Sequence, residues 1–204
     1  MALFDHLAVA AQSLEEGAAF VEQLLGVAMV PGGEHPLMGT YNRLLSLGPD
    51  AYLEMIAINP TAPAPDHPRW FDLDRFTGAP HLRSWVVQVP DLEAAQALAP
   101  EGSGSPLDLA RGDLRWRMAV PSSGVLPFDG VFPALIEWQG AAHPAPRLPD
   151  HGIRLRSIRL THPRAGELRD ALAPILSDQR LQFAVGSAGL GAEFDTPQGV
   201  RTIG

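Results

Sequence analysis

Apolar and polar residues alternate weakly over residues 3–10, and from Leu14 the apolar positions recur at helical spacing. This change of period predicts a strand followed by a helix. The strand is Phe4-Asp5-His6-Leu7-Ala8-Val9, and Ser13-Leu14-Glu15-Glu16 reads as a capping box that opens the helix. Leu14, Ala18, Val21, Leu24 and Leu25 form its apolar stripe, and Gly26 supplies a stop. A short strand at 27–30 and the turn Pro31-Gly32-Gly33 follow. Strands at about 40–47 and 51–58, joined by Leu47-Gly48-Pro49-Asp50, complete a βαβββ order.

The same order recurs. Ser84-Trp85-Val86-Val87-Gln88-Val89 opens a second unit, with a helix from Asp91 to Leu98 and strands at 105–110, 113–120 and 132–138. A third, degenerate βαβ-type unit has a strand at 153–160, a helix at 165–176 that Pro174 should shorten, and strands near 180–185, 190–195 and 199–203. The expected division is 1–60 for the first module, 61–80 for a proline-rich connector, 81–145 for the second module and 146–204 for the third. Where the first two copies end in Glu54 and Glu137, the third carries Arg201, so it is expected to serve as scaffold, partner surface or lid. The fold expected is α+β: paired βαβββ modules forming a curled, half-open mixed sheet with helices outside, plus the third module.

Composition narrows the function. The 204 residues are 46% hydrophobic and 19% charged, which is globular composition. The net charge is −8, every cation is an arginine, and no basic run is present to collect phosphates, so nucleic acid is not an expected partner. The lack of lysine excludes Schiff-base chemistry, and the lack of cysteine excludes disulfides and thiolate nucleophiles. No signal peptide and no apolar run of about 18 residues is seen, so a cytoplasmic protein without membrane contact is expected. Neither GK[ST] nor GxGxxG occurs, so no phosphate loop is read.

Two carboxylates stand out within apolar strands: Glu54 in Tyr-Leu-Glu-Met-Ile and Glu137 in Leu-Ile-Glu-Trp. An unpaired charge is costly to bury, so each implies a metal, an arginine partner or a solvent-facing side. Strand alternation puts His6 on one face with Phe4, Ala8 and Ala10. Counting back eight positions from Leu14 and from Leu92 makes Ser84 the counterpart of His6. His6, Glu54 and Glu137 would then suit a divalent ion such as Mn, Fe, Ni or Zn, with either glutamate as a base. Ser84 is a poor ligand for such an ion. His35, Tyr41, Asn42, Ser84, Arg115, Trp116 and Trp138 are candidates for binding a substrate, the tryptophans as apolar walls and the arginine for a carboxylate. Core tryptophans and solvated arginines are the plainer alternative.

Together, Asp5-His6-Leu7, Pro31-Gly32-Gly33-Glu34-His35-Pro36, Gly39-Thr40-Tyr41-Asn42, Tyr52-Leu53-Glu54-Met55-Ile56-Ala57, Pro68-Arg69-Trp70-Phe71, Leu135-Ile136-Glu137-Trp138 and His143-Pro144 resemble the vicinal oxygen chelate superfamily, in its glyoxalase-like domain branch. The resemblance spans about residues 3–145. It implies a cleft in which a divalent ion chelates a substrate through neighbouring oxygens, as in lyases, isomerases and dioxygenases of this type; other members only sequester small molecules. By position His6, Glu54 and Glu137 match the ligand sites, while Tyr41 and Ser84 depart from the pattern. The expectation is a metal-dependent enzyme acting on a small oxygenated substrate, as a possible homodimer. A metal-free small-molecule binding protein of the same fold is the alternative.

Overall fold

A computed structural model describes all 204 residues. Strand β1 (Leu3–Ala10) leads into α1 (Leu14–Leu25), whose first turn is capped by Ser13 Oγ accepting from the Glu16 N–H at 3.1 Å and whose end is closed by Gly26 in the left-handed conformation, φ 73°. Strands β2 (Val30–His35), β3 (Thr40–Ser46) and β4 (Tyr52–Ile58) complete the first unit. The second unit is β5 (His81–Gln88), α2 (Leu92–Gln96), β6 (Ser105–Arg111), β7 (Leu114–Val120) and β8 (Ala134–Trp138). These eight strands form one sheet in the order β2-β3-β4-β1-β5-β8-β7-β6. The opening and closing strands of each unit run parallel, and β1 meets β5 antiparallel at the seam. The two units are thus the halves of a curled, half-open mixed sheet.

The expectation at residues 27–33 is corrected. Pro31-Gly32-Gly33 lies within a strand rather than a turn. β2 is an edge strand, where a proline costs no ladder bond, and its register slips between Pro31 and Gly33.

The third unit comprises β9 (Arg154–Thr161), α3 (Ala165–Leu172), β10 (Leu181–Ala184), β11 (Gly189–Thr196) and β12 (Gly199–Ile203). Its helix stops short of Pro174, as the missing N–H requires. Its sheet order, β10-β9-β11-β12, places the opening strand inside the sheet, unlike β1 and β5 in their own units. The unit does not stand apart. Ile158, Leu160, Leu168 and Phe194 share one continuous core with Leu7, Val9, Trp85 and Val87. A second core lies on the concave face of the large sheet and includes Ala8, Ala10, Ile56, Val86, Ala134 and Ile136. The cleft is built on this face. No helix is long and apolar enough to cross a membrane.

Helix α1 packs closely on β4. A Cβ at Gly17 would lie 2.0 Å from Met55 Sδ and 2.8 Å from Ala11 Cβ. Gly17→Ala is therefore expected to destabilise the fold by about 1–3 kcal/mol through overpacking, despite the better helix propensity of alanine, as read by urea denaturation.

Candidate active site

The cleft begins with an irregularity. The register of β1 on β5 slips between Phe4 and His6, so Phe4 joins the outer core while His6 lines the cleft. The alternation that put Phe4 and His6 on one face is thereby corrected: the bulge breaks it. The bulge also leaves Asp5 wholly buried, directly behind His6.

Asp5 gathers three donors. His6 Nδ1–H donates to its Oδ1 at 2.5 Å, and Trp138 Nε1–H donates to its Oδ2 at 2.8 Å. His143 Nε2 lies 3.2 Å from Oδ2, and because His143 Nδ1 accepts from the Ala145 N–H, Nε2 is the donor. Burial alone would raise the Asp5 carboxyl, but the bonds to His143 and His6 outweigh it and hold the group far below the usual carboxylate range.

With Nδ1 committed to Asp5, His6 turns Nε2 toward Glu54 Oε2, 3.6 Å away. Desolvation disfavours the imidazolium, yet the bonds to Asp5 and Glu54 prevail and raise its pKa to about 9. Glu54 is likewise pushed up by burial but pulled further down by His6, to about 2. The two form a buried ion pair on the neighbouring strands β1 and β4. Tyr52 stacks on the imidazole with ring centroids 4.4 Å apart. Burial, then the charges of Asp5 and Glu54, push its phenol well above its ordinary value.

A polar chain extends from Glu54. Asn42 Nδ2–H donates to Glu54 Oε1 at 2.5 Å, and Asn42 Oδ1 accepts from Arg111 Nη1 at 3.0 Å. Arg111 Nη1 also donates to His35 Nε2 at 3.2 Å, which leaves His35 Nδ1–H to donate to Thr40 Oγ1 at 3.0 Å. His35 is therefore a neutral acceptor, its pKa lowered to about 4 by burial and by the cations Arg111 and His6 against the opposing charge of Glu54. The walls are apolar: Trp70, Phe71, Trp116, Met118, Ile136 and Trp138. The cavity holds about 360 Å3 of empty space, including the part open to solvent.

Of the residues proposed from sequence, His6, His35, Asn42, Glu54, Trp116 and Trp138 meet in this cleft. Glu137 does not join them. Met118 pairs with Ile136 and Trp116 with Trp138, so Arg117 and Glu137, one position along, point to the other face. There Glu137 accepts the Leu92 N–H of α2 at 3.2 Å and meets Arg117 at 3.4 Å. An odd offset causes this. The register that pairs Ala8 with Glu54 pairs Val86 with Ala134, so Ala134 stands where the second half would carry its carboxylate. Ser84 is fully buried on the cleft side of β5 but bonds to the Trp85 carbonyl instead of lining the cavity. Tyr41 and Arg115 also lie outside it; Arg115 donates to the Gly112 carbonyl at 2.6 Å and the Leu114 carbonyl at 2.8 Å.

No three His, Asp or Glu side chains converge closely enough to hold a metal ion. His6 Nε2 and Glu54 Oε2 are two donors, and the ground beyond Asn42 is held by a guanidinium. The donor set does not fit the three-ligand ion expected from sequence. Asp5, Tyr52, Trp70, Phe71 and Arg111 are site residues the sequence reading did not assign. In sequence Trp70 and Phe71 read only as aromatics of the connector pinned against the body, and the body they cover is the cleft itself.

A family model for the glyoxalase-like domain matches residues 4–176. The chain belongs to that family. Among solved structures, this glyoxalase-like protein shares its fold with a hypothetical protein from Staphylococcus aureus, at a TM-score of 0.60 and 11% identity over 92% of this chain and 88% of that one. A hypothetical protein from Bacillus halodurans matches at 0.44, with 17% identity over 70% of this chain and 97% of its own. Methylmalonyl-CoA epimerase from Mycobacterium tuberculosis matches at 0.43, with 19% identity over 68% of this chain and 88% of its own. No curated protein matches the glyoxalase-like chain in sequence.

Proposed function

We propose that the cleft is the active site of an enzyme that moves a proton on a small oxygenated molecule, with Glu54 as the proton acceptor and His6 as the hydrogen-bond donor to the substrate oxygen. One observation carries this reading. Two titratable groups of opposite charge, both about 5% exposed or less, face each other 3.6 Å apart at an aromatic-walled cavity. Burying such a pair costs desolvation energy that an apolar pair would not, so stability does not account for it and a perturbed pair in a cleft is a functional signature.

The chemistry follows from how the pair is coupled. His6 supplies the strongest downward pull on the Glu54 pKa. A carbonyl oxygen entering between them accepts the His6 Nε2–H, and Glu54 loses that partner in a water-poor site. Its basicity then rises toward the range useful for taking a proton from the carbon beside the carbonyl. The imidazolium meanwhile stabilises the charge that develops on the oxygen. Asp5 is a positioning residue that keeps the proton on His6 and fixes the ring.

The test is proton exchange in heavy water. A panel of small carbonyl compounds is incubated with the protein and followed by NMR for deuterium at the carbon beside the carbonyl. Glu54→Gln is expected to slow exchange by about 100-fold to 10,000-fold. Exchange undiminished in Glu54→Gln would remove Glu54 as the base. Compounds that bind without exchanging would instead favour a metal-free sequestering protein.

A second reading is an ion held by His6 and Glu54 alone, its remaining positions filled from outside the protein. The observation that favours it is the Asp5–His6 bond, because a carboxylate behind a histidine is the usual arrangement for turning Nε2 toward a metal. Elemental analysis of protein purified without chelator, beside His6→Ala, separates the two. Stoichiometric Mn, Fe, Ni or Zn that the variant loses would replace the first reading with the second.

A further inference from the structure

Arg111 has no carboxylate partner. It comes from the last position of the edge strand β6, in the second half of the sheet, and reaches residues of the first half. Its Nη1 is spent on two neutral acceptors, His35 Nε2 and Asn42 Oδ1, and no acceptor meets its Nη2 or Nε. Many of the other arginines pair with an acid. The backbone is shaped to receive this one. A Cβ at Gly33 would lie 2.7 Å from Arg111 Cδ, and one at Gly32 would lie 2.0 Å from Asn42 Oδ1. The paired glycines thus leave the room in which the guanidinium and its amide partner lie. A second, independent observation is in the cavity wall: Trp70 is 4% exposed, and its indole N–H is the one buried side-chain polar atom without a hydrogen-bond partner. A buried donor left unpaired costs free energy that a ligand's acceptor oxygen would recover.

We propose that Arg111 and the indole N–H of Trp70 bind an anionic oxygen group of the substrate, so that the cleft takes small organic carboxylates whose apolar or aromatic body rests on Trp116 and Trp138. A guanidinium with free donors in a fork matches a carboxylate better than any neutral group. The tilted Trp116–Trp138 pair, with ring centroids 5.6 Å apart and planes at 46°, provides an angled apolar wall. The anion lands within reach of the chemistry, because the Asn42 amide alone separates Arg111 from Glu54. This inference rests on the acid–base reading for what happens next but not for the binding itself.

The probes are phenylacetate and its neutral amide, phenylacetamide, titrated into the intact protein by calorimetry. Wild type is expected to prefer the acid by about tenfold or more, the scale of one hydrogen bond to a charged group. Arg111→Gln is expected to remove that preference, and Arg111→Lys to keep part of it. Trp70→Phe should weaken acid binding several-fold. Gly33→Ala leaves the arginine in place chemically but displaces its stem, and should also reduce the preference; a urea denaturation curve for each variant beside wild type separates lost recognition from lost fold. Equal binding of acid and amide by wild type, no binding of the acid, or a preference that survives Arg111→Gln would overturn the proposal. Its failure is separable from that of the acid–base reading. Deuterium exchange without an acid preference sinks Arg111 alone, whereas an acid preference without exchange sinks the proton-transfer reading alone.

Discussion

Asp5→Asn is expected to lower the unfolding free energy by about 3–5 kcal/mol, the cost of breaking a buried charge pair while leaving its partner in place. The side chain is 0% exposed and accepts from His6, Trp138 and His143 at once. An asparagine of the same shape has one acceptor oxygen, and its amide would turn a donor toward groups that are themselves donors. The second effect is on His6. Asp5 is the strongest upward influence on the imidazole, so its loss leaves Glu54 alone to oppose burial and the pKa of the ring should fall from about 9. Urea denaturation at pH 7 measures the first effect, and NMR titration of the His6 ring measures the second. The control is Glu137→Gln, on the opposite face of the sheet, where the Leu92 N–H bond, the Gln139 amide bond and a partly solvated Arg117 contact are altered; about 1 kcal/mol or less is expected there. Equal losses in the two variants would mean that Asp5 is no more than an ordinary polar contact.

That contrast also marks how far the sequence reaches. Periodicity located β1, α1, β3, β4 and β5 closely, because each couples a consistent apolar pattern to an obvious stop. It also singled out His6 and Glu54, since charge inside an apolar strand is visible without knowing its surroundings. Three things were invisible. The bulge between Phe4 and His6 moves side chains across a face, and nothing in Phe4-Asp5-His6 marks it. The placement of Glu137 depends on register, and its odd offset, three positions past Ala134, sends it to α2 while its neighbours Ile136 and Trp138 face the cleft. Arg111 lies one residue past the strand expected at 105–110, and only the curl of the sheet brings it against His35 and Asn42. The glycines that admit it looked like a turn, because a missing Cβ is the same letter whether it serves backbone freedom or space.

The pH dependence of stability should show the buried network as a peak near pH 6.5. The folded His6 pKa is about 9 against 6.5 when unfolded, so the folded state holds a proton that the unfolded chain releases first. Its stabilisation is fully present below pH 6.5 and is lost as pH rises through 9, a span worth up to about 3 kcal/mol. His35 acts in the opposite sense. Its folded pKa of about 4 means that the unfolded chain takes up a proton the native state refuses, so stability falls as pH drops from 6.5 toward 4. Glu54, lowered from 4.5 to about 2, adds stability that is present above 4.5 and is lost as pH falls through 2. Asp5 acts in the same direction. Urea midpoints measured from pH 4 to 9.5 should therefore climb to about 6.5 and then decline. In His6→Gln the alkaline decline should flatten, while the acid limb above pH 4.5, carried mainly by the burial of His35, persists. A wild-type profile flat from 6.5 to 9 would show that His6 is neutral in the native state, and the hydrogen-bond donor assigned to it in the cleft would have to be found elsewhere.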